Sequence, residues 1–584
     1  MIGINHITLY DKSVKKTNQK RVIHMTRNLL GNPQLTVTDV NDVKEGLNHI
    51  VVDSVQFGNQ EMIMEKDVAV EMKDGEKLYV NIFRPNKEGQ FPVVMSADTY
   101  GKDNKPKITN MGAQWPTLGP IPTSSFTPEE SPDPGFWVPQ DYVVVKLALR
   151  GSSKSNGVLS PWSKREAEDY YEVIEWAAQQ EWSNGNVGTN GVSYLAVTQW
   201  WVASLNPPHL KAMIPWEGLN DMYREVAFHG GIPDTGFFRF WVQGIFARWT
   251  DNPNIEDLVQ AQKEHPLFDD YWKQRQAPLH QIKTPLLACA SWSTQGLHNR
   301  GSFEGFKQAS SEDKWLYIHG RKEWESYYAR ENLERQKAFF DYYLKEEDND
   351  WKETPTVTYE VRDQFYKGEF KTASAFPLPN TNYTPLYLNA DDLTLNQNAV
   401  NEESSTQYDS ENEQDDVRFS YTFDHDTELV GNMNLKLWVS TDDADDMDLF
   451  AGIKKLDRRG NEVHFPDFNH IEQGQVATGW LRASHRELDQ DKSTIAQPWH
   501  KHEQELKLNK GDIVPVEVEL LPSGTRFKQG ETLVVVVKGS EIVKGNSTPG
   551  MKTRYEHEER VNKGLHHILT GGQYDSQLIV PVTK

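Results

Sequence analysis

From Met62 onward the apolar positions fall into short, regular patterns. "IMEKDVAVEM", the turn signal "KDG" and "EKLYVNIF" are two alternating runs around a tight turn, which predicts a β-hairpin. "FPVVMSA" and "YVVVKLALR" are continuous β-branched runs of the kind buried on both faces of a parallel sheet. In "KREAEDYYEVIEWAAQQ" the period lengthens, and Ala167, Tyr170, Tyr171, Ile174 and Ala178 share one face of a helix. The alternation continues through "NVGTN", "YLAVTQWWVASL", "LKAMIPW", "PLLACAS" and "KWLYIHG". Strand and helix in turn describe an α/β domain with a mostly parallel sheet, assigned to residues 61–218 and 281–376. Residues 219–280 interrupt it with aromatic, helix-compatible sequence such as "GGIPDTGFFRFWVQGIFARW", expected to be a helical cap insertion. The plainer reading, helices that only complete the core, stands beside it.

Near residue 377 the texture changes again. "RFSYTF", "NMNLKLWVS" with Met433, Leu435, Leu437 and Val439 alternating, "VPVEVELLPS", "ETLVVVVKGS" and "SQLIVPV" predict an all-β jelly-roll domain over 377–584. The polar tract at 391–416 is expected to be a loop inside that domain rather than its tether. Residues 1–60 are polar and weakly periodic, and are expected to form an N-terminal extension.

Composition narrows the function more than the fold. At 584 residues the chain exceeds what one core holds. A net charge of −23, from 85 acidic against 62 basic residues, argues against nucleic acid and anionic membranes as partners. One cysteine, Cys289, allows no internal disulfide, and its apolar setting "PLLACA" predicts a buried thiol. No continuous apolar leader and no apolar run of about 18 residues occurs, so the expectation is a cytoplasmic protein. Metal-ligand spacings and glycine-rich nucleotide loops are missing from the sequence, so no metal and no cofactor is expected. Self-association is left open.

The chemistry concentrates in "VGTNGVSYLAVTQWW", residues 187–201. A strand, a glycine, a serine and a helical run follow in the order a nucleophile elbow needs. Gly191 and Ala196 supply small residues on both sides of Ser193, while Leu195 breaks the strict G-x-S-x-G. On pattern alone Ser193 is either a nucleophile or a helix N-cap.

The longer segment "LALRGSSKSNGVLSPWSKREAEDYYEVIEWAAQQEWSNGNVGTNGVSYLA", with "SADTYGKDNK" before it and "LVGNMNLKLWVSTDDADDMDLFAGIKKLD" and "ATGWLRASHREL" after it, closely resembles the cocaine-esterase-like (CocE/NonD) hydrolases, relatives of the Xaa-Pro dipeptidyl-peptidases of the S15 group. The likeness covers roughly residues 62–584. It implies an α/β-hydrolase fold with a helical cap and a C-terminal jelly roll. It also implies a serine hydrolase that cleaves a small-molecule ester or amide, or a short peptide, through an acyl-enzyme on Ser193. The Tyr194 backbone N–H and the Tyr100 hydroxyl would form the oxyanion hole.

Two positions depart from the family. The acid expected two residues beyond Trp292 is Thr294, and no His follows Trp324. His319, at the carboxyl end of "KWLYI", becomes the leading base and His298 the second; Glu217 and Asp221 become the candidate acids. A peptidase releasing Xaa-Pro dipeptides would need cap carboxylates for the substrate amine, with Glu225 and Asp234 as candidates. The remaining alternative is a non-catalytic binding protein whose triad is degraded.

Overall fold

A computed structural model describes residues 22–25, 35–38, 51–57, 60–103, 121–246 apart from 122, 125 and 129, 255–467, 473–543 and 555–583. Much of the N-terminal extension therefore lies outside the described residues. Its strands at Val22–Met25, Leu35–Thr38 and Val51–Phe57 form an antiparallel ladder that continues into the first strand of the body.

The predicted hairpin is present as β1 (Gln60–Glu71) and β2 (Lys77–Pro85), closed by a turn in which Gly75 takes the left-handed conformation at φ 85°. The body then alternates as the hydrophobic pattern predicts: β3 (Phe91–Asp98), β4 (Val143–Ala148), α1 (Lys164–Ala178), β5 (Ser183–Val192), α2 (Tyr194–Ser204) and β6 (Leu210–Trp216). After the cap segment come β7 (Leu286–Ser291), α3 (His298–Gln308), β8 (Lys314–His319), α4 (Glu323–Tyr328), α5 (Arg330–Leu344) and β9 (Val357–Gln364).

In space the strands run β1-β2-β4-β3-β5-β6-β7-β8-β9, antiparallel at the β1 and β2 edge and parallel from β4 to β9. This is the α/β-hydrolase order, with β5 and β6 side by side in the middle of the sheet. The strands β3, β4 and β7 are buried along their whole length, as their unbroken apolar runs require. Cys289 lies inside β7, and burial pushes its thiol well above the ordinary range. Tertiary structure brings the carboxyl ends of β5, β6, β7 and β8 together on one edge.

The cap segment is made of short pieces rather than long helices: single turns at Phe237–Phe240 and Asp270–Lys273, a helix at Leu258–Glu264, wide π-type turns at Tyr223–Ala227 and Trp241–Phe246, and a two-residue ladder between Phe228–His229 and Ile232–Pro233. The three glycines and the single proline of "GGIPDTG" keep the pieces on either side of 230–236 short.

Beyond residue 377 two antiparallel layers face each other. One is built on Thr427–Thr441, which pairs with Val514–Phe527, Leu565–Thr570 and Gln577–Thr583; the other joins Val417–Thr422, Thr532–Lys538, Asp448–Leu456 and Ala477–Arg482. Met433, Leu435, Leu437 and Val439 point into the space between them, fully buried with Phe419, Leu449, Val535 and Val537. The polar tract at 391–416 contributes two short strands, Thr394–Asn396 and Ser404–Asp409, to this domain.

The β-domain is joined to the body through β9. Arg362 pairs with Thr525 in parallel register. Its guanidinium is buried and donates to the carbonyls of Gly524 and Val476 and to Ser523 Oγ. Closer to the sheet edge, the Asn299 amide donates both to Ser291 O (2.7 Å) and to Pro522 O (3.2 Å), so the β-domain touches the loop from which α3 starts.

Candidate active site

Strand β5 turns into α2 at Ser193, whose backbone stands at φ 58°, ψ −119°. Such a conformation costs a residue with a Cβ on the order of 1–3 kcal/mol and persists only where neighbours impose it. Those neighbours are small where they have to be. Gly191 is at φ 149°, and a Cβ there would lie 2.5 Å from Leu195 Cβ; a Cβ on Gly218 would lie 2.6 Å from Ala196 Cβ. Leu195 is therefore accommodated in place of a second glycine because the room it needs is left by Gly191. Gly191→Ala is accordingly expected to destabilise the protein by about 3 kcal/mol, from overpacking and left-handed strain combined. A thermal midpoint equal to that of the wild type would refute this account of the elbow.

Although Ser193 occupies the N-cap position of α2, its side chain makes no capping bond. The hydroxyl instead stands 3.0 Å from Nε2 of His298. His298 is the first residue of α3, and the loop before it is folded back by the Leu297 and Asn299 amides, which both donate to Thr294 O (3.2 and 3.1 Å). The other ring nitrogen, Nδ1, lies 2.8 Å from Oε2 of Glu323, with its N–H pointing off the direct line to that oxygen. Glu323 opens α4 just past β8. That helix is pinned by Trp324 Nε1 donating to Glu130 (3.1 Å) and by Tyr327 OH donating to Asn190 (3.1 Å). Ser193, His298 and Glu323 thus form one line from β5 through the β7 loop to the β8 loop.

His319, expected as the base, does not reach the serine. Its Nδ1 accepts the Arg321 backbone N–H (3.1 Å), which leaves Nε2 as the protonated nitrogen, 3.0 Å from Oε1 of Glu217. The residue is fully buried, and burial lowers its titration to about 4. Glu217, expected as the acid, does pair with His319, but this pair sits behind the line that holds Ser193. Its Oε2 accepts from Thr294 Oγ1 at 2.9 Å. Asp221 is placed elsewhere, bonded to Arg224 (2.8 Å) and Gln276 (2.8 Å).

Glu323 was missed by sequence reasoning. Its signal was a carboxylate in the segment after β8, directly before Trp324, in the place where the family resemblance led to a search for a histidine. The histidine that meets Ser193 and the carboxylate beside it come from two neighbouring loops, in the chain order serine, histidine, carboxylate.

The expected oxyanion donors lie beside the serine. Tyr194 opens α2, where a first-turn amide is aimed out of the helix end. Its phenol donates to Glu166 Oε2 at 2.6 Å, and burial raises that carboxyl to about 8. Tyr100 packs edge-on against Tyr194, with ring centroids 5.9 Å apart, and its oxygen accepts the indole N–H of Trp241 from the cap at 3.2 Å. Asp98 holds the start of this loop by accepting the Gly101 amide at 2.9 Å.

A cavity of about 260 Å³ opens on Ser193 and His298 between body and cap, walled by Tyr100, Trp162, Trp241 and Leu297 among other apolar side chains. Among the described residues no carboxylate lines it. The two cap carboxylates considered as amine anchors are engaged elsewhere. Glu225 accepts the amides of Asn220 and Asp221 (2.8 and 3.1 Å) and faces Arg300, and Asp234 accepts those of Gly236, Phe238 and Glu556 (2.8, 3.0 and 3.0 Å). Among the described residues one cluster brings three potential metal-ligand atoms within 4.8 Å of one another, on Glu217, His298 and Glu323. Within this cluster Glu217 is hydrogen-bonded to Thr294 and His298 to Ser193, which suits proton transfer. No helix among the described residues is long and apolar enough to cross a membrane.

Comparison with known proteins bears on the family and the fold. Residues 74–322 match the family model of X-Pro dipeptidyl-peptidase (S15 family), and residues 349–579 that of the X-Pro dipeptidyl-peptidase C-terminal non-catalytic domain. The chain is 24% identical to a cocaine esterase of Rhodococcus sp. (strain MB1 Bresler), over 89% of this chain and 98% of the esterase. It is 22% identical to a Xaa-Pro dipeptidyl-peptidase of Streptococcus gordonii, over 44% and 43%. An α-amino acid ester hydrolase shares the fold, with a TM-score of 0.65 at 16% identity over 89% of this chain and 96% of that one. A crystal structure of a CocE/NonD family hydrolase from Staphylococcus aureus superposes with a TM-score of 0.91 at 84% identity, covering 96% of this chain and 100% of the other. With a relative this similar along nearly its whole length, the chain belongs to the CocE/NonD family of α/β-hydrolases.

Proposed function

We propose that the protein is a serine hydrolase of carboxylic esters, with Ser193 as nucleophile, His298 as general base and acid, and Glu323 as the carboxylate that orients the imidazole. The observation that carries this reading is the His298 ring, which spans Ser193 Oγ at 3.0 Å and Glu323 Oε2 at 2.8 Å. In this mechanism Nε2 takes the serine proton as Oγ attacks the acyl carbon, and the same proton is delivered to the departing alkoxide. The tetrahedral oxyanion is held by the Tyr194 amide and the Tyr100 hydroxyl, and water repeats the sequence to release the acid. The indole of Trp241 favours this use of Tyr100. It can only donate, so it fills an acceptor site on the phenol oxygen and turns the phenol's own proton elsewhere.

The cavity bears on substrate class. An apolar, aromatic wall with no carboxylate among the described residues suits a neutral acyl group, whereas a dipeptidyl-peptidase must bind a free ammonium. Glu225 and Asp234 are spent on backbone amides, which favours the esterase over the Xaa-Pro peptidase. The non-catalytic alternative loses its ground as well, because His298 and Glu323 supply the two groups whose usual positions are altered.

The test is covalent labelling. A fluorophosphonate should add one phosphonyl group to the wild-type protein, on the peptide containing Ser193, and none to Ser193→Ala. Neutral 4-nitrophenyl esters should be turned over faster than Xaa-Pro anilides. An adduct that persists in Ser193→Ala, or a preference for the anilide, contradicts the proposal.

A further inference from the structure

Glu217 is left unused by this mechanism, yet the fold goes to some length to place it. It follows β6 with its backbone at φ 48°, beside Ser193 at φ 58° after β5, so two adjacent parallel strands both end in left-handed residues that carry a side chain. Strain of this kind needs a surrounding structure that imposes it. Oε2 is hydrogen-bonded to the Thr294 hydroxyl at 2.9 Å, and Oε1 lies 3.0 Å from His319 Nε2 without a hydrogen bond between them. An oxygen of Glu217 also lies within 4.8 Å of a His298 ring nitrogen and of a Glu323 oxygen, in a fully buried site.

Two carboxylates this close and away from water do not both stay ionised. Glu323 has the His298 ring against it, whereas Glu217 has only neutral partners, a hydroxyl and an imidazole whose tautomer is set by the Arg321 amide. Burial first, and the Glu323 charge second, hold the Glu217 carboxyl well above its ordinary range. The groups facing it are His298 from α3, Glu323 from α4, His319 from β8 and Cys289 from β7, with Arg321, Glu325 and Glu360 grouped around the far side of His319.

We propose that Glu217 is a positioning residue that keeps a proton beside the His298–Glu323 pair, so that its carboxyl adds no further negative charge next to the imidazole that takes the Ser193 proton. With the proton on Oε2 the bond to Thr294 Oγ1 runs the other way, the carboxyl donating and the hydroxyl accepting across the same 2.9 Å, while Oε1 faces His319 Nε2 at 3.0 Å. This accounts for Thr294 as well. A hydroxyl can accept that proton's hydrogen bond, whereas an aspartate at the same position would bring a third carboxyl group to the cluster. Were Glu217 ionised, a second negative charge would favour imidazolium at rest, and a protonated His298 cannot accept from the serine.

The inference rests on the Ser193–His298–Glu323 reading, and its test separates the two. Glu217→Ala leaves Thr294 and His319 without their shared partner and should lower kcat by about 10- to 100-fold with KM little changed. Glu217→Gln has the neutral acid's shape: its carbonyl accepts from His319 and its amide donates to Thr294. It should recover most of the lost kcat and keep the acid limb of the kcat/KM–pH profile within about 0.3 pH unit of the wild type. Infrared difference spectra of wild type minus Glu217→Gln should show the carbonyl band of a protonated carboxyl group.

The proposal is overturned if Glu217→Gln is no better than Glu217→Ala. It is also overturned if the acid limb moves down by about a unit or more, the sign expected when a negative charge is removed from beside a base, or if the infrared band is missing. Glu323→Gln run alongside tests the underlying triad. Full activity in that variant would discard the triad reading, while the Glu217 comparison would still report where the proton sits.

Discussion

Replacing His298 by alanine is expected to lower kcat on an activated ester by on the order of 10⁴- to 10⁶-fold, the loss seen when the base is removed from a cooperating set. The ring has both nitrogens committed to the reaction path, one to Ser193 and one to Glu323, so nothing nearby can take over the proton. His319→Ala should leave kcat within about tenfold, because that ring faces Glu217 at 3.0 Å and does not meet the serine. The two variants have to be compared with circular dichroism and thermal midpoints, since His319 is fully buried and its loss also opens a cavity. A reversed ranking of the two histidines in kcat, with both proteins folded, would overturn the assignment of the base.

Removal of the acid comes next in size. Glu323→Ala and Glu323→Gln are each expected to reduce kcat by about 10³- to 10⁴-fold while KM changes little, because the carboxylate acts on the imidazolium that forms only as the serine proton moves. Glutamine should not rescue. Its amide can present a donor to Nδ1 and hold the ring in the tautomer that cannot accept from Ser193. This behaviour is opposite to that expected at Glu217, where glutamine restores function, and the contrast distinguishes the roles of the two carboxyl groups. Wild-type rates in Glu323→Gln would remove Glu323 from the mechanism.

The body and the β-domain were legible because their signals are repetitive. Buried parallel strands announce themselves as unbroken apolar runs, and the alternation at Met433, Leu435, Leu437 and Val439 survives intact as the inner face of a two-layer domain. The elbow was legible for a steric reason, since Gly191 and Ala196 mark where backbones converge. The base was not. Placing it at the end of a strand favours His319, but which imidazole meets Ser193 is decided by how residues 292–297 fold back after β7, and that turn rests on contacts of Thr294, Ser291 and Pro522 rather than on any local pattern. The acid was hidden for another reason. Glu323 lies in the segment after β8, where the family pattern calls for a histidine and not a carboxylate. Trp241 and Pro522 bear on the site from far along the chain, and no spacing in the sequence ties them to Ser193.

The single side-chain amide of Asn299 spans Ser291 of the body and Pro522 of the β-domain, next to the residue that meets the serine. Nearby, Arg300 stands 3.3 Å from Glu519, and Gly524 has no room for a Cβ against Trp292 and Glu360. The stretch 519–525 is thus a cast of the catalytic loop. In terms of inheritance, the two halves are not exchangeable parts. A chimera that takes its β-domain from a distant relative transplants half of the mould in which His298 is set, and it must bring the matching 291–300 segment with it or assemble as a well-folded protein with its imidazole out of place.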